Sequence, residues 1–172
     1  MASHTQPTVE HIRGCLAFAG LTDAELGELA AILTKVRARA GDDVINENES
    51  RVEKQGLFVL AEGHVQVLKR GREIATLGAP SVFGEIELLT RMAPSATVRA
   101  KESLTLYWIG RDKLEKMQNE GNLAALKLAA SLARVLAQRL RATSEKIVEL
   151  LPIDKREEFS EFRAKILSEW SF

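Results

Sequence analysis

The chain has 172 residues, with 24 basic and 24 acidic side chains, 45% apolar and 5% aromatic, which is the profile of one globular domain. Its single cysteine, Cys15, excludes an intrachain disulfide and a four-thiolate metal site, and the balanced charge argues against a nucleic-acid or membrane-surface binder. No apolar run approaches the roughly 18 residues of a membrane span, and the start lacks a basic-then-apolar leader, so a cytoplasmic protein is expected.

Residues 1–8 are small and polar and read as a flexible terminus. From Val9 to Lys35 apolar positions recur at three and four, and Thr22 before Asp23 and Glu25 has the form of a helix start. Two short helices broken near Gly20 follow from this. Between Lys35 and about Arg111 the period changes to two, as in Val36-Arg37-Ala38-Arg39, His64 to Leu68 and Thr97 to Ala100. Turn residues separate these runs at Gly41-Asp42, Asn46 to Asn48, Gly63, Gly71, Pro80 and Pro94. Short strands at such spacing predict an antiparallel sandwich or barrel, so the fold class is mostly β with flanking helices over 9–120.

The helical period returns after Gly110, with a short helix over Lys113 to Gln118 and a long one from Asn122 to Leu151, ended by Pro152. The long helix (121–151) carries a seven-residue repeat, Leu126, Ala129, Ala133, Leu136, Leu140, Thr143, Ile147 and Leu150. Leu128, Leu132 and Val135 form a second stripe. One face can then pack on the strands while the other meets a second copy, so a homodimer is expected; the alternative is a single helix packed on its own domain. Residues 152–172 read as an amphipathic helix with Phe159, Phe162, Ile166 and Trp170 on one face, folded back on its own chain or docking another protein.

Catalytic motifs are missing. There is no phosphate-gripping Walker loop, no HExxH and no nucleophile elbow. His4, His11 and His64 are scattered without the HxH pattern of a cupin-like metal barrel, and Cys15 has no evident base. The expectation is a non-enzymatic protein with no catalytic residues, no metal and no cofactor.

One segment stands apart, Phe83-Gly84-Glu85-Ile86-Glu87-Leu88-Leu89-Thr90-Arg91-Met92-Ala93-Pro94-Ser95-Ala96-Thr97-Val98. It reads as a strand end, a glycine, a short helical turn, a loop and a new strand. The unpaired amides of such a turn suit an anion, and Glu85 suits sugar hydroxyls, although a plain helical crossover explains the pattern equally well. This segment resembles the phosphate-binding cassette of the cyclic nucleotide-binding domain family, FGE followed by a short helix and PR(A/S)ATV. The similarity runs over about Leu16 to Leu140, supported by Leu21 to Leu26, Gly41-Asp42, a hairpin over Leu57 to Val67, and Ile74 to Gly78. The long helix resembles the dimerisation helix of bacterial regulators of the catabolite activator protein type.

The resemblance implies an eight-stranded, jelly-roll-like β-roll. It also implies that Gly84 and the amides of Ser95 and Ala96 meet a cyclic phosphate, that Glu85 takes the ribose 2′-hydroxyl, and that Thr97 lies near the base. The family's phosphate-pairing Arg has no counterpart: an ungapped alignment puts Pro94 in its place and Ala93 where the family has Pro, and a one-residue shift keeps the Pro and deletes the Arg. Losing one partner of a buried charge pair costs about 2–5 kcal/mol. Arg91 is the candidate substitute cation, whereas period-two alternation turns Arg99 outward. Pro80 and Asn48 also depart from family glycines. The expectation is a regulatory module whose response to cyclic AMP or cyclic GMP is weak, altered or absent and which acts on a partner protein. Two alternatives stand beside it, a ligand-free scaffold and the sensor fragment of a transcription regulator. Only 21 residues follow Leu151, too few for the winged helix-turn-helix of such regulators, so no DNA-binding domain is expected.

Overall fold

A computed structural model describes residues 9–49 and 55–169. The expectations for residues 1–8 and for Trp170 fall outside them. The chain divides into two compact units, Met1–Leu132 and Ala133–Phe172.

In the first unit, α1 (Glu10–Arg13), a 3-10 turn (Leu16–Phe18) and α2 (Asp23–Ile32) precede the strands. The start of α2 is the capping box read from the sequence: Thr22 Oγ1 accepts from the Glu25 amide at 3.3 Å, and the Thr22 amide donates to Glu25 Oε2 at 2.8 Å. Eight strands follow, β1 (Thr34–Ala38), β2 (Asp43–Ile45), β3 (Gly56–Glu62), β4 (His64–Lys69), β5 (Arg72–Gly78), β6 (Ser81–Phe83), β7 (Thr97–Ala100) and β8 (Leu104–Gly110). Helix α3 (Glu85–Thr90) lies between β6 and β7, and α4 (Arg111–Asn119) follows β8.

The strands form two four-stranded antiparallel sheets, ordered β1-β8-β3-β6 and β2-β7-β4-β5. This is the expected β-roll. Phe58, Leu60, Val65, Phe83, Val98 and Leu106 belong to the core cluster drawn from both sheets. Alternation turns Leu57 and Val59 of β3 to the other face of their sheet. Those residues are fully buried too, as are Ile12, Phe18, Leu29, Leu114 and Leu128 of the helices. A strand buried on both faces reads as a continuous apolar run, which is why Leu57 to Ala61 shows no alternation.

The expected hairpin over Leu57 to Val67 is corrected by the pairing. β3 joins β6 and β8, whereas β4 joins β5 and β7. The turn at Gly63 moves the chain from one sheet to the other. Gly63 has φ +93°, and a Cβ there would lie 2.6 Å from Leu104 Cδ2, so only glycine makes this corner without displacement. Cys15 is buried, as a packing residue should be. His64 is an exposed strand residue with Nδ1 2.7 Å from Glu102 Oε1.

Helix α5 (Leu123–Leu150) begins in the first unit and continues through the second. Asn122 caps it, its Oδ1 accepting from the Ala125 amide at 3.0 Å. Leu128, Leu132 and Val135, the second stripe, are buried. The heptad stripe is not: Leu126, Leu140, Ile147 and Leu150 are exposed, as are Ala133 and Thr143, and Ala129 and Leu136 are half-buried. Within the second unit Pro152 interrupts the helix and α6 (Ile153–Glu169) resumes it. Arg156 donates back to the carbonyls of Glu149 and Leu151, both at 3.1 Å, satisfying groups that the helix end leaves open. On α6, Phe159 and Ile166 are half-buried and Phe162 is exposed.

Candidate functional site

The site is built around Gly84, the N-cap of α3. Its φ is +82°, and a Cβ would lie 2.4 Å from the Gly56 carbonyl oxygen, so the cassette turn and β3 approach as closely as backbone allows. The turn holds Glu85 and Glu87 buried. Arg111, buried at the start of α4, donates a hydrogen bond to the Glu87 carbonyl and anchors α3 from below.

The loop after α3 is fixed by backbone contacts. The Asn48 amide donates to the Pro94 carbonyl at 2.8 Å, and the Glu47 amide donates to Thr97 Oγ1 at 3.0 Å. Asn48 adopts φ +63°, which asparagine tolerates in place of the family's glycine. Lys69 Nζ donates to the Ser95 carbonyl and ion-pairs with Glu47 Oε1 at 2.9 Å. That pairing, with the Arg70 amide on Oε2 at 2.8 Å, holds the Glu47 carboxyl below the usual glutamate range. The Ala79–Pro80 peptide ahead of the cassette is cis.

Between α3 and β3 opens a narrow cleft of about 20 Å³, lined by Val44, Ile45, Glu49, Gln55, Gly56, Phe58, Gly84, Glu87 and Pro94. Its polar lining is two carboxylates and one amide. Gln55 is 7% exposed, and its Oε1 has no hydrogen-bond partner. Beside it, sharing Val44 and Phe58, lies a larger open cleft of about 470 Å³ bounded also by Arg37, Asp42, Asp43 and Trp108. The buried Trp108 Nε1 is likewise unpartnered. Phe58 stacks on Phe83, with ring centroids 5.2 Å apart.

The residues singled out by sequence are distributed as follows. Gly84 lines the cleft, as does Pro94. Glu85 opens α3 and is buried. The Ser95 amide donates to Glu87 Oε1 at 3.4 Å, Ala96 is half-buried, and the Thr97 hydroxyl accepts from Glu47. Arg91, the candidate substitute cation, is 72% exposed at its side chain, ion-pairs with Glu115 of α4 at 3.1 Å and is not among the lining residues. Arg99 points outward to Asp43, with Nε 2.6 Å from Oδ1, as the alternation requires. Among the described residues no Lys, Arg or His lines the first cleft.

Sequence reading missed Glu87, Gln55, Glu49 and Arg111. For Glu87 a signal was available, a second acidic residue two positions after Glu85 where a short turn brings it back toward the loop. For Gln55 there was none, because only the approach of β3 to Gly84 gives it a role.

Comparison with known proteins agrees with this fold. A cGMP-dependent protein kinase of Caenorhabditis briggsae is 34% identical over 91 residues, 53% of this chain and 12% of the kinase, so the chain spans about an eighth of that relative. A cyclic nucleotide-binding domain from Methylobacillus flagellatus shares the fold, with TM-score 0.70 and 21% identity over 78% of this chain and 77% of that one. So does the regulatory subunit of a cAMP-independent protein kinase A from Trypanosoma cruzi bound to guanosine, with TM-score 0.58 and 17% identity over 77% of this chain and 54% of that one. The family model for the cyclic nucleotide-binding domain matches residues 35–120, half the chain, from the second residue of β1 through α4, and with the cassette and the two sheets in place the chain belongs to the cyclic nucleotide-binding domain family.

Proposed function

We propose that this chain is a non-enzymatic regulatory module. A small ligand enters the cleft between α3 and β3, and the helices after the β-roll pass the change to a partner protein. The observation that carries this reading is the cleft itself, which coincides with the cassette on which the family resemblance rests. Its response to cyclic AMP and cyclic GMP is weak, altered or absent, since among the described residues a phosphate brought there meets Pro94 and two carboxylates and no guanidinium. Loss of one partner from a buried charge pair costs about 2–5 kcal/mol, a factor of roughly thirty to several thousand in affinity. That guanosine occupies the trypanosome neighbour supports a ligand other than a cyclic nucleotide in this fold.

The exposed heptad stripe of α5 supports a homodimer, and the partly exposed face of α6 with Phe159 and Phe162 supports contact with a partner. The mechanism is a population shift between arrangements of the helices, bounded by the ligand's differential affinity for them. Isothermal titration with cyclic AMP and cyclic GMP into the millimolar range tests the weak response. Dissociation constants no tighter than about 0.1 mM are expected, whereas binding in the low micromolar range, near −8 kcal/mol, overturns it.

A further inference from the structure

We infer that the β1 edge of the β-roll is a docking surface for an acidic, extended segment of a partner protein, which adds to β1 as a further strand. The inference does not depend on the cleft holding a ligand.

Among the described residues the two sheets end in four edge strands, β1 and β6 in one and β2 and β5 in the other. β2 and β6 have three residues each, and the pairing of β2 with β7 is broken by a register shift. β5 is longer, but its register with β4 shifts between Val67 and Leu68, and its Glu73 is already met by Lys101 Nζ at 3.6 Å and Thr76 Oγ1 at 2.7 Å. β1 differs from all of these. Its five residues keep an unbroken register with β8, from Thr34 opposite Trp108 to Ala38 opposite Leu104, and among the described residues it pairs with no other strand. A regular edge of this kind offers main-chain N–H and C=O groups to a further strand.

The side chains decide which strand is admitted. Alternation puts Val36 and Ala38 against the core and turns Lys35, Arg37 and, one residue past the strand, Arg39 the other way, all three exposed. They recur every second residue, about 6.6–6.8 Å apart along the strand. Among the described residues no carboxylate ion-pairs with any of them. The acidic groups closest in the chain and across the sheet are engaged elsewhere: Asp42 Oδ2 accepts from the Arg39 amide at 2.8 Å, Asp43 Oδ1 takes Arg99 Nε at 2.6 Å, and Glu62 Oε2 accepts from Thr105 Oγ1 at 2.6 Å. Other cations of the β-roll are matched, Lys69 by Glu47 and Lys101 by Glu73. Three like charges therefore stand in file on an open edge, in a chain whose net charge is zero.

Charge on an edge strand guards against aggregation, and a single sign makes the guard selective. Basic and apolar strands are refused, and an acidic one is drawn in. A strand laid against β1 has the same two-residue period, so carboxylates at alternate positions meet the three cations at the roughly 4.5–5.5 Å spacing of cross-strand neighbours. Main-chain bonds then supply the attachment and the charge pairs supply the choice of partner.

The test follows the fluorescence anisotropy of labelled synthetic peptides titrated with the full chain. One peptide alternates Glu with Val, one alternates Lys with Val, and a third is the Glu peptide with a central Pro, which removes a main-chain donor. The Glu peptide should bind at least about tenfold tighter than either of the others, and its affinity should fall as salt is raised. Lys35→Glu combined with Arg37→Glu should reverse the preference, so that the Lys peptide becomes the tighter ligand, a gain that no folding defect produces. Absence of binding by the Glu peptide, or a preference that survives the double reversal, overturns the inference. Equal binding of the Pro peptide, or equally effective displacement by polyphosphate, also overturns it and makes the row a general polyanion surface. Self-association of the parent chain that the double reversal abolishes would give the edge to a second copy, with the same consequence.

Discussion

Glu87 and Gly84 show how two neighbouring residues of one short turn do different work. Gly84 is set by backbone geometry, since its φ of +82° and its contact with the Gly56 carbonyl leave no room for a side chain. Gly84→Ala should therefore lose at least about 1–3 kcal/mol of unfolding free energy, read from urea melts, and an unchanged midpoint would show that β3 and the cassette can separate at no cost. Glu87 is set by a side-chain contact, its Oε1 accepting from the Ser95 amide at 3.4 Å. The glycine was legible in the sequence because FGE is a local pattern. The carboxylate's role was not, because it depends on the Ser95 amide eight residues away curling back across the loop. Pro94 was legible as a departure from the family, and the structure gives it a positive role, with its carbonyl accepting from Asn48 and its ring lining the cleft.

Among the elements, α2 and the start of α5 illustrate how surface charges align two helices. Lys127 Nζ lies 2.6 Å from Glu25 Oε1, and Asn122 Nδ2 donates to Glu28 Oε2 at 2.6 Å. Glu25 thus serves two purposes, closing the capping box of α2 and holding α5. The Lys127 ammonium, with the Thr22 amide, holds its carboxyl below the ordinary value of 4.5. A carboxyl lowered in the folded state contributes stability that is fully present above its unfolded value and lost as the pH falls through its folded one. Thermal midpoints should accordingly be flat from pH 7 to about 5 and fall below 4.5, and Lys127→Met should lower the midpoint at pH 7 while reducing that acid-side fall. An identical pH profile in the variant would remove Glu25 from the explanation. Element type was legible wherever periodicity was strong, as at α5 and β4. Pairing was not: a turn glycine between two apolar runs looks the same whether the strands pair or part, and Gly63 parts them because Leu104 and the next sheet stand beside it.

At the scale of the whole molecule, the second unit leaves apolar surface that a lone helix has no means of covering. Leu140 is 64% exposed and Leu150 76%, on the same seven-residue repeat as Leu126 and Ile147. Sedimentation at tens of micromolar should show a dimer, and Leu140→Lys combined with Ile147→Lys should show a monomer with the β-roll still folded. A monomeric parent would instead assign that stripe to another protein. The strand order has its own consequence. In one sheet the edge strand β1 pairs only with β8, and in the other the edge strand β2 pairs only with β7. β7 and β8 come late in the chain, so the early strands β1 and β2 have no neighbour to pair with until Thr97 to Gly110 has been made. During synthesis the β-roll closes in one late step, and the cleft comes into existence only when the chain that completes both sheets has emerged.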